Sequence, residues 1–253
     1  MPYHHPVHAS NAHEDFSSIR DEFLAAPLTY QLLLRMCRGA RMAGCYALLM
    51  DGDARAFSRS LQVSGRAFAH FLPQIPAEQR ITSRAAPFLD ALACGDGDGA
   101  AAIARGLTAP WARDAEYEED FLFFRFLFAL LGGPAGEEGA PALLATYEKV
   151  IEGADDARLD AAWALLKRDS DGFERALGRL IARHRSYYSR MAAEAALPET
   201  DLLSEGKIFV EGLALVRLAE NRGLMLSDHY PLIPSLVRPN LAATFAGDEW
   251  LTY

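Results

Sequence analysis

"LLKRDSDGFERALGRL", Leu165 to Leu180, decides the fold. It opens on the apolar end of one helix, passes through the polar turn Asp169-Ser170-Asp171, and resumes with Phe173, Ala176, Leu177 and Leu180. Apolar residues three and four apart line one face of an α-helix. Two further stretches read the same way: "LLMDGDARAFSRSL" (48 to 61) and "LACGDGDGAAAIARGL" (92 to 107). In each, an aspartate is placed to accept a free backbone N–H at the start of the next helix and to meet its positive dipole end. The expected caps are Asp53, Asp98 and Asp171.

Helix, short acidic turn and returning helix form the repeating unit of helical-hairpin arrays. The turns recur after 45 and then 73 residues, spacings too unequal for a regular solenoid. The fold class expected is therefore all-α: a single domain of irregularly stacked antiparallel helical hairpins, loosely tetratricopeptide-like but without that consensus. The spacing predicts helices over 14 to 25, 28 to 50, 53 to 72, 84 to 94, 98 to 107, 114 to 131, 139 to 152, 155 to 168, 171 to 194 and 206 to 222. No period-two alternation suggests a strand. Pro73, Pro76, Pro110, Gly132-Gly133-Pro134, Pro198 and Gly223 mark the breaks. Residues 1 to 13, with His4, His5, His8 and His13, read as a disordered tail, and 14 to 253 as the folded domain.

The net charge of −9 is concentrated in one part of the chain. Residues 1 to 93 sum to +1, 94 to 156 to −9, and 157 to 253 to −1. Such a field repels nucleic acid and anionic membrane and attracts a basic protein surface. Its densest part lies in "WARDAEYEEDFLFFRFLFALL", Trp111 to Leu131, with five acids between Asp114 and Asp120 and then eleven residues whose only charge is Arg125. The second half reads as a buried central helix. Acids near its start suit the helix dipole, but the dipole does not require five of them. Trp111, Asp114, Glu116, Tyr117, Glu118, Glu119 and Asp120 are therefore the candidate partner-binding residues, with the aromatics as anchors and the acids as complements to a basic partner.

Other chemistry is not written in the sequence. "GDGDGA" (95 to 100) follows a helix, lacks the Lys-Ser/Thr ending of a phosphate loop, and carries two acids that would repel phosphate. His70, His184 and His229 are isolated from metal-ligand patterns, and Ser64 in "QVSGRA" lacks a nucleophile elbow. The expectation is no enzyme activity, no metal and no cofactor. Cys37, Cys45 and Cys94 are odd in number and sit in apolar helical contexts, as reduced buried thiols do. The longest apolar run is too short to span a bilayer and the N-terminus does not read as a signal peptide, so a cytoplasmic protein without membrane contact is expected. "LIARHRSYYSR" (180 to 190) interleaves arginines with tyrosines as a nucleic-acid site does. The overall acidity argues against that, and Arg183, Arg185 and Arg190 are expected to pair with acidic turns of the same chain.

The last third of the chain carries a resemblance. "GKIFVEGLALVRLAENRGL" (206 to 224) followed by "DHYPLIPSLVR" (228 to 238) resembles the closing region of the immunity protein 49 family, all-helical antitoxins of bacterial polymorphic toxin systems. The similar features are Gly212-Leu213-Ala214-Leu215, Arg217-Leu218-Ala219, Arg222-Gly223-Leu224, and a tyrosine-proline strip ending at Pro234. Gly212, Ala214 and Ala219 permit close helix approach, and Glu211, a carboxylate inside so apolar a helix, is expected either to face solvent, the reading preferred, or to be held by an arginine. The resemblance implies a non-catalytic cytoplasmic antitoxin whose partner is the cognate toxin domain. An acidic inhibitor would suit a basic nuclease, since nucleases must meet phosphates. Two readings compete with it: a helical-repeat scaffold or regulator with a non-toxin protein partner, and a ligand-binding or enzymatic domain with a pocket near Arg183, His184 and Tyr187. An aromatic-rich helical surface would serve a homo-oligomer equally well.

Overall fold

The turns that decided the sequence reading all reverse the chain by one device. In the computed structural model, which describes residues 5–245 and 250 with side chains from residue 14 onward, a left-handed residue ends one helix and the very next residue caps another. Gly52 (φ 66°), Gly95 (φ 84°) and Arg168 (φ 54°) are the left-handed residues, and Asp53, Asp96 and Asp169 are the caps. Asp53 was expected; the other two caps lie two residues before the expected Asp98 and Asp171. The reason is geometric. A cap must accept from the N–H two or three residues ahead, and the helix starts directly after the left-handed residue, so Asp96 accepts from Gly99 N at 3.0 Å and Asp169 from Gly172 N at 2.9 Å. Asp98 and Asp171 fall inside the first helical turn, where their charge still favours the dipole.

Among the described residues there are eleven α-helices and four 3₁₀ turns, and the only β-type pairing is an isolated bridge between Tyr230 and Ile233. Helices α1 (His5–Ala25), α2 (Tyr30–Asp51), α3 (Ala54–Phe71) and α4 (Ala86–Cys94) each pack on the one before, and α5 (Gly97–Gly106) lies on α3 and α4. Helices α6 (Glu118–Ala129) and α7 (Gly136–Val150) form a second pair, α8 (Ala157–Lys167) and α9 (Ser170–Ala193) a third. After the single turn α10 (Glu199–Leu203), α11 (Val210–Asn221) returns across the molecule to pack on α4. This is the irregular stack of hairpins anticipated, with one continuous apolar core from Phe16 to Trp250.

Small residues set the closest approaches. A Cβ on Gly65 of α3 would stand 2.7 Å from Ala91 Cβ of α4, and one on Gly212 of α11 would stand 2.9 Å from Ile233 Cδ1 of the C-terminal strip. Gly212 thus seats the strip, whose Leu232 carbonyl accepts from Phe209 N at 2.8 Å. Arg217, buried in α11, donates to the carbonyls of Val237 and Pro239 at 3.2 Å each and so clamps the strip's far end. Helix α6 is the central strut expected: Leu122, Phe123, Phe124, Phe126, Leu127, Phe128 and Ala129 are all buried, and Phe128 meets Phe88 of α4 edge-on at 4.8 Å. Cys37, Cys45 and Cys94 are free and buried, and burial pushes the Cys94 thiol up to about 12.

Several boundaries differ from expectation: α11 starts at Val210 instead of 206 and α7 at Gly136 instead of 139, and two further differences lie at the starts of α6 and α1. Helix α6 starts at Glu118, not at 114, because Glu116 folds back: its carboxylate accepts from Ala112 N at 3.2 Å and from Ser83 N at 2.7 Å. At the other end, the tail expected over 1 to 13 lies outside the described residues at 1 to 4, whereas 5 to 13 are the first turns of α1. Pro6 occupies the first of those turns, where its missing N–H removes no helical bond.

Candidate functional site

The start of α6, the start of α11 and the second half of α9 border one cleft. Two hollows of about 320 and 290 Å³ share Arg158, His184, Tyr188, Phe209 and Glu211 and so run into one another. The first reaches Asp120 and Ser83 on the α6 side, and the second reaches Arg183 and Tyr187 on the α9 side.

The floor of the cleft is charged and internally paired. Arg158 donates from Nε and Nη2 to the two oxygens of Glu211, both at 2.7 Å, and from Nη1 to Asp120 at 2.7 Å. Of the two alternatives for Glu211, the less favoured one holds: it is bound by an arginine, because α8 delivers Arg158 beside the start of α11. Deeper in, Arg41 binds Asp90 at 2.6 Å and Glu205 at 3.1 Å, Ser64 Oγ donates to Asp90 at 2.5 Å, and Arg38 bridges Glu205 and Asp201, each at 2.8 Å. Burial pushes Glu205 up, but Arg41 and Arg38 together outweigh it and hold the carboxyl below the ordinary glutamate range. Ser64 is thus a buried donor to a structural carboxylate. His184 donates from Nε2 to the Glu205 carbonyl at 2.9 Å, with its ring between Tyr188 and Phe209 at 4.7 and 4.5 Å. Burial lowers its pKa, favouring the neutral ring.

The candidate partner-binding residues form an acidic lip made of the loop before α6 and its first turn, and of the seven only Asp120 lines the cleft. Trp111 donates from Nε1 to the Glu116 carbonyl at 3.1 Å and carries the Arg113 guanidinium over its ring at 4.9 Å. Glu116 ties this loop to Ser83, and Asp120 is committed to Arg158. These three are structural, and they hold the others in place. Tyr117 is 74% exposed, and Asp114, Glu118 and Glu119 make no ion pair or side-chain hydrogen bond among the described residues.

The opposite lip is basic. Helix α9 is buried through Ile181; beyond it only His184, Tyr188 and Met191 are even partly covered. Arg183, Tyr187 and Arg190 recur at four and three residues, one helical stripe beside that inner row. Arg183, Arg185 and Arg190 are exposed and make no ion pair or hydrogen bond among the described residues, contrary to the expectation that acidic turns of the chain would neutralise them. The acids nearest in sequence are taken by Arg179, which pairs with Asp155 and Asp160. Of the five large apolar or aromatic side chains that stand exposed among the described residues, Tyr117 precedes α6 and Tyr187 lies in α9, where it lines the second hollow. Sequence reasoning did not join the lips, since they are some seventy residues apart in the chain. Among the described residues, no group of three or more His, Cys, Asp or Glu could hold a metal ion, and no helix is long and apolar enough to cross a membrane.

The family model described as immunity protein 49 matches residues 54–236, from the first residue of α3 through the C-terminal strip. No curated protein and no solved structure matches the chain.

Proposed function

The chain belongs to the immunity protein 49 family, and from that premise we propose that it neutralises a cognate toxin domain by direct protein–protein contact at the mouth of this cleft. The observation that carries the reading is the acidic lip: Tyr117 at 74% exposure beside three carboxylates that make no ion pair or side-chain hydrogen bond among the described residues. Its base is fixed by Trp111, Glu116 and Asp120 through bonds to the loop, to Ser83 and to Arg158, so little ordering cost remains for binding. An exposed tyrosine ringed by charge is the usual make-up of an interface anchor. The acids would speed encounter with a basic toxin, such as a nuclease, and align it. The action is binding in the cytoplasm, with no catalytic step, no cofactor and no nucleic acid or membrane partner.

The test is co-expression with the toxin domain encoded beside this chain. The wild type is expected to restore growth and to retain the toxin domain on a column at low salt. Reversal of charge in Asp114→Lys/Glu118→Lys/Glu119→Lys should abolish protection and flatten the salt dependence of binding. Unchanged affinity and unchanged salt dependence would sink the acidic-lip reading; no binding at all would sink the immunity reading.

A further inference from the structure

We infer that residues 237–245, together with Trp250, are a detachable strap, and that the face beneath them is a groove for an extended peptide segment, which the strap fills in cis. The groove is built by α3, α11 and the end of α4, and its grip is on the main chain. Arg217 of α11 donates to the carbonyls of Val237, Arg238 and Pro239, and its remaining acceptor is the Ala93 carbonyl of α4. Gln62 of α3, 2% exposed, donates from Nε2 to the Ala243 carbonyl at 2.7 Å. Arg59 fixes the direction of that amide by donating to its Oε1 at 3.0 Å. Between these two clamps Asn240 lies against Gly95, where a Cβ would stand 2.5 Å from its Oδ1. Two aromatics complete the contact: Phe245 under the Arg59 guanidinium at 4.6 Å, and Trp250 edge-on to Phe71 at 4.7 Å. Hydrogen bonds to the main chain give affinity for an extended peptide, and side-chain seats give selectivity. None of these groove residues lines the cleft, so the site is separate from the acidic lip.

Strap and groove differ in how firmly each is held. From Asn240 to Phe245 no backbone N–H bonds to a backbone carbonyl among the described residues, and every side chain is exposed or half-buried. A segment with so few buried contacts opens at a small fraction of the global unfolding free energy. Gln62 and Arg217 are buried in helices and stay behind when it lifts. Arg217, 7% exposed, makes no ion pair among the described residues and its Nε meets no acceptor, so its charge is satisfied by carbonyls alone. An emptied groove therefore favours any segment that brings carbonyls and an aromatic side chain at the same intervals. The groove side chains lie within the matched residues 54–236, and the strap lies beyond them.

The test uses the full chain and a fluorescein-labelled peptide of residues 237–250, with binding read by anisotropy. The wild type should bind the peptide weakly, because its own strap competes at high effective concentration. Phe245→Ala/Trp250→Ala loosens the resident strap and leaves the groove intact, so this chain should bind the peptide at least about tenfold more tightly. Adding Gln62→Leu to that chain should reverse the gain. A second measurement needs no variant. Chymotrypsin should cut the wild type at Leu241 and Phe245 at a rate that rises little with urea, since local opening exposes little surface. Peptide binding no tighter in the loosened chain, a gain that Gln62→Leu leaves intact, or strap cleavage as steep in urea as global unfolding overturns the proposal.

Discussion

The interior and the rim of the same cleft use the same residue types to opposite ends. Inside, Arg41, Asp90 and Glu205 are paired with each other and Asp90 has its second oxygen met by Ser64. Near its rim, Asp114, Glu118, Glu119, Arg183 and Arg190 make no ion pair among the described residues. A buried charge must be paired because water is no longer there to solvate it. A rim charge keeps its water and remains available to another surface. Pairing, more than the count of charges, therefore separates residues that build this molecule from residues that can recognise another.

The comparison breaks most visibly at its interior end. Asp90→Ala leaves Arg41 buried without its closest counter-ion and should cost about 3–5 kcal/mol in chemical denaturation. A loss below about 1 kcal/mol would mean that Glu205 alone satisfies Arg41 and that the interior is as tolerant as the rim. Next in size is Gly65→Ala. Its new methyl would stand 2.7 Å from Ala91 Cβ, so α3 and α4 must part, at about 1–3 kcal/mol. Ala91→Gly in the same chain should recover part of that loss, and its failure to do so would show that the strain lies elsewhere. At the rim, truncating Asp114, Glu118 and Glu119 together to alanine should leave stability within about 0.5 kcal/mol of wild type. The same variant should weaken toxin binding by about tenfold, read by calorimetry at low salt. A stability loss as large as that of the interior variant would erase the distinction between rim and core.

The same division explains what could be read from the sequence. Helix positions were legible because burial imposes a 3.6-residue period, and α2, α3, α8 and α9 start and stop within about two residues of expectation. The small-residue pattern around Gly212 was legible too, as was the concentration of negative charge before α6. Which aspartate caps a helix was not, since the left-handed residue before it decides, and Arg168 gives no glycine signal. Helix α10 was missed because five residues are too few to show a period. Charge pairing was the least legible feature. Glu211 meets Arg158 from 53 residues away, and Arg183 stays unpaired because Arg179 takes the nearby acids, so both assignments depend on how hairpins stack. The candidate site was accordingly half visible: the acidic segment was found, but its division into anchors and free groups, and its basic counterpart across the cleft, required the fold.

Glu205 tests the boundary between the two regimes, since it lines the cleft yet belongs to the interior network. Burial alone would raise its pKa, and Arg41 and Arg38 reverse that, so the folded value lies below the unfolded one. Such a group contributes stability in full above the unfolded value, about 4.3 for a glutamate, and loses it as pH falls through the folded value. The stability difference between wild type and Glu205→Gln should therefore be constant near neutral pH and shrink in acid. Asp90, which burial shifts in the other direction, gives an opposing slope, but it does so in both proteins and largely cancels in the difference. The groups around Glu205 that could disturb the comparison are Arg38 and Arg41 from α2, Asp201 from α10, and His184 and Tyr188 from α9. His184 is the one to control for, because burial lowers its pKa, toward the acid limb, and it donates to the Glu205 backbone carbonyl, which the substitution leaves in place. A difference that stays flat down to the acid limb would place Glu205 with the rim: paired in geometry, yet solvated enough that its pairing adds nothing to the fold.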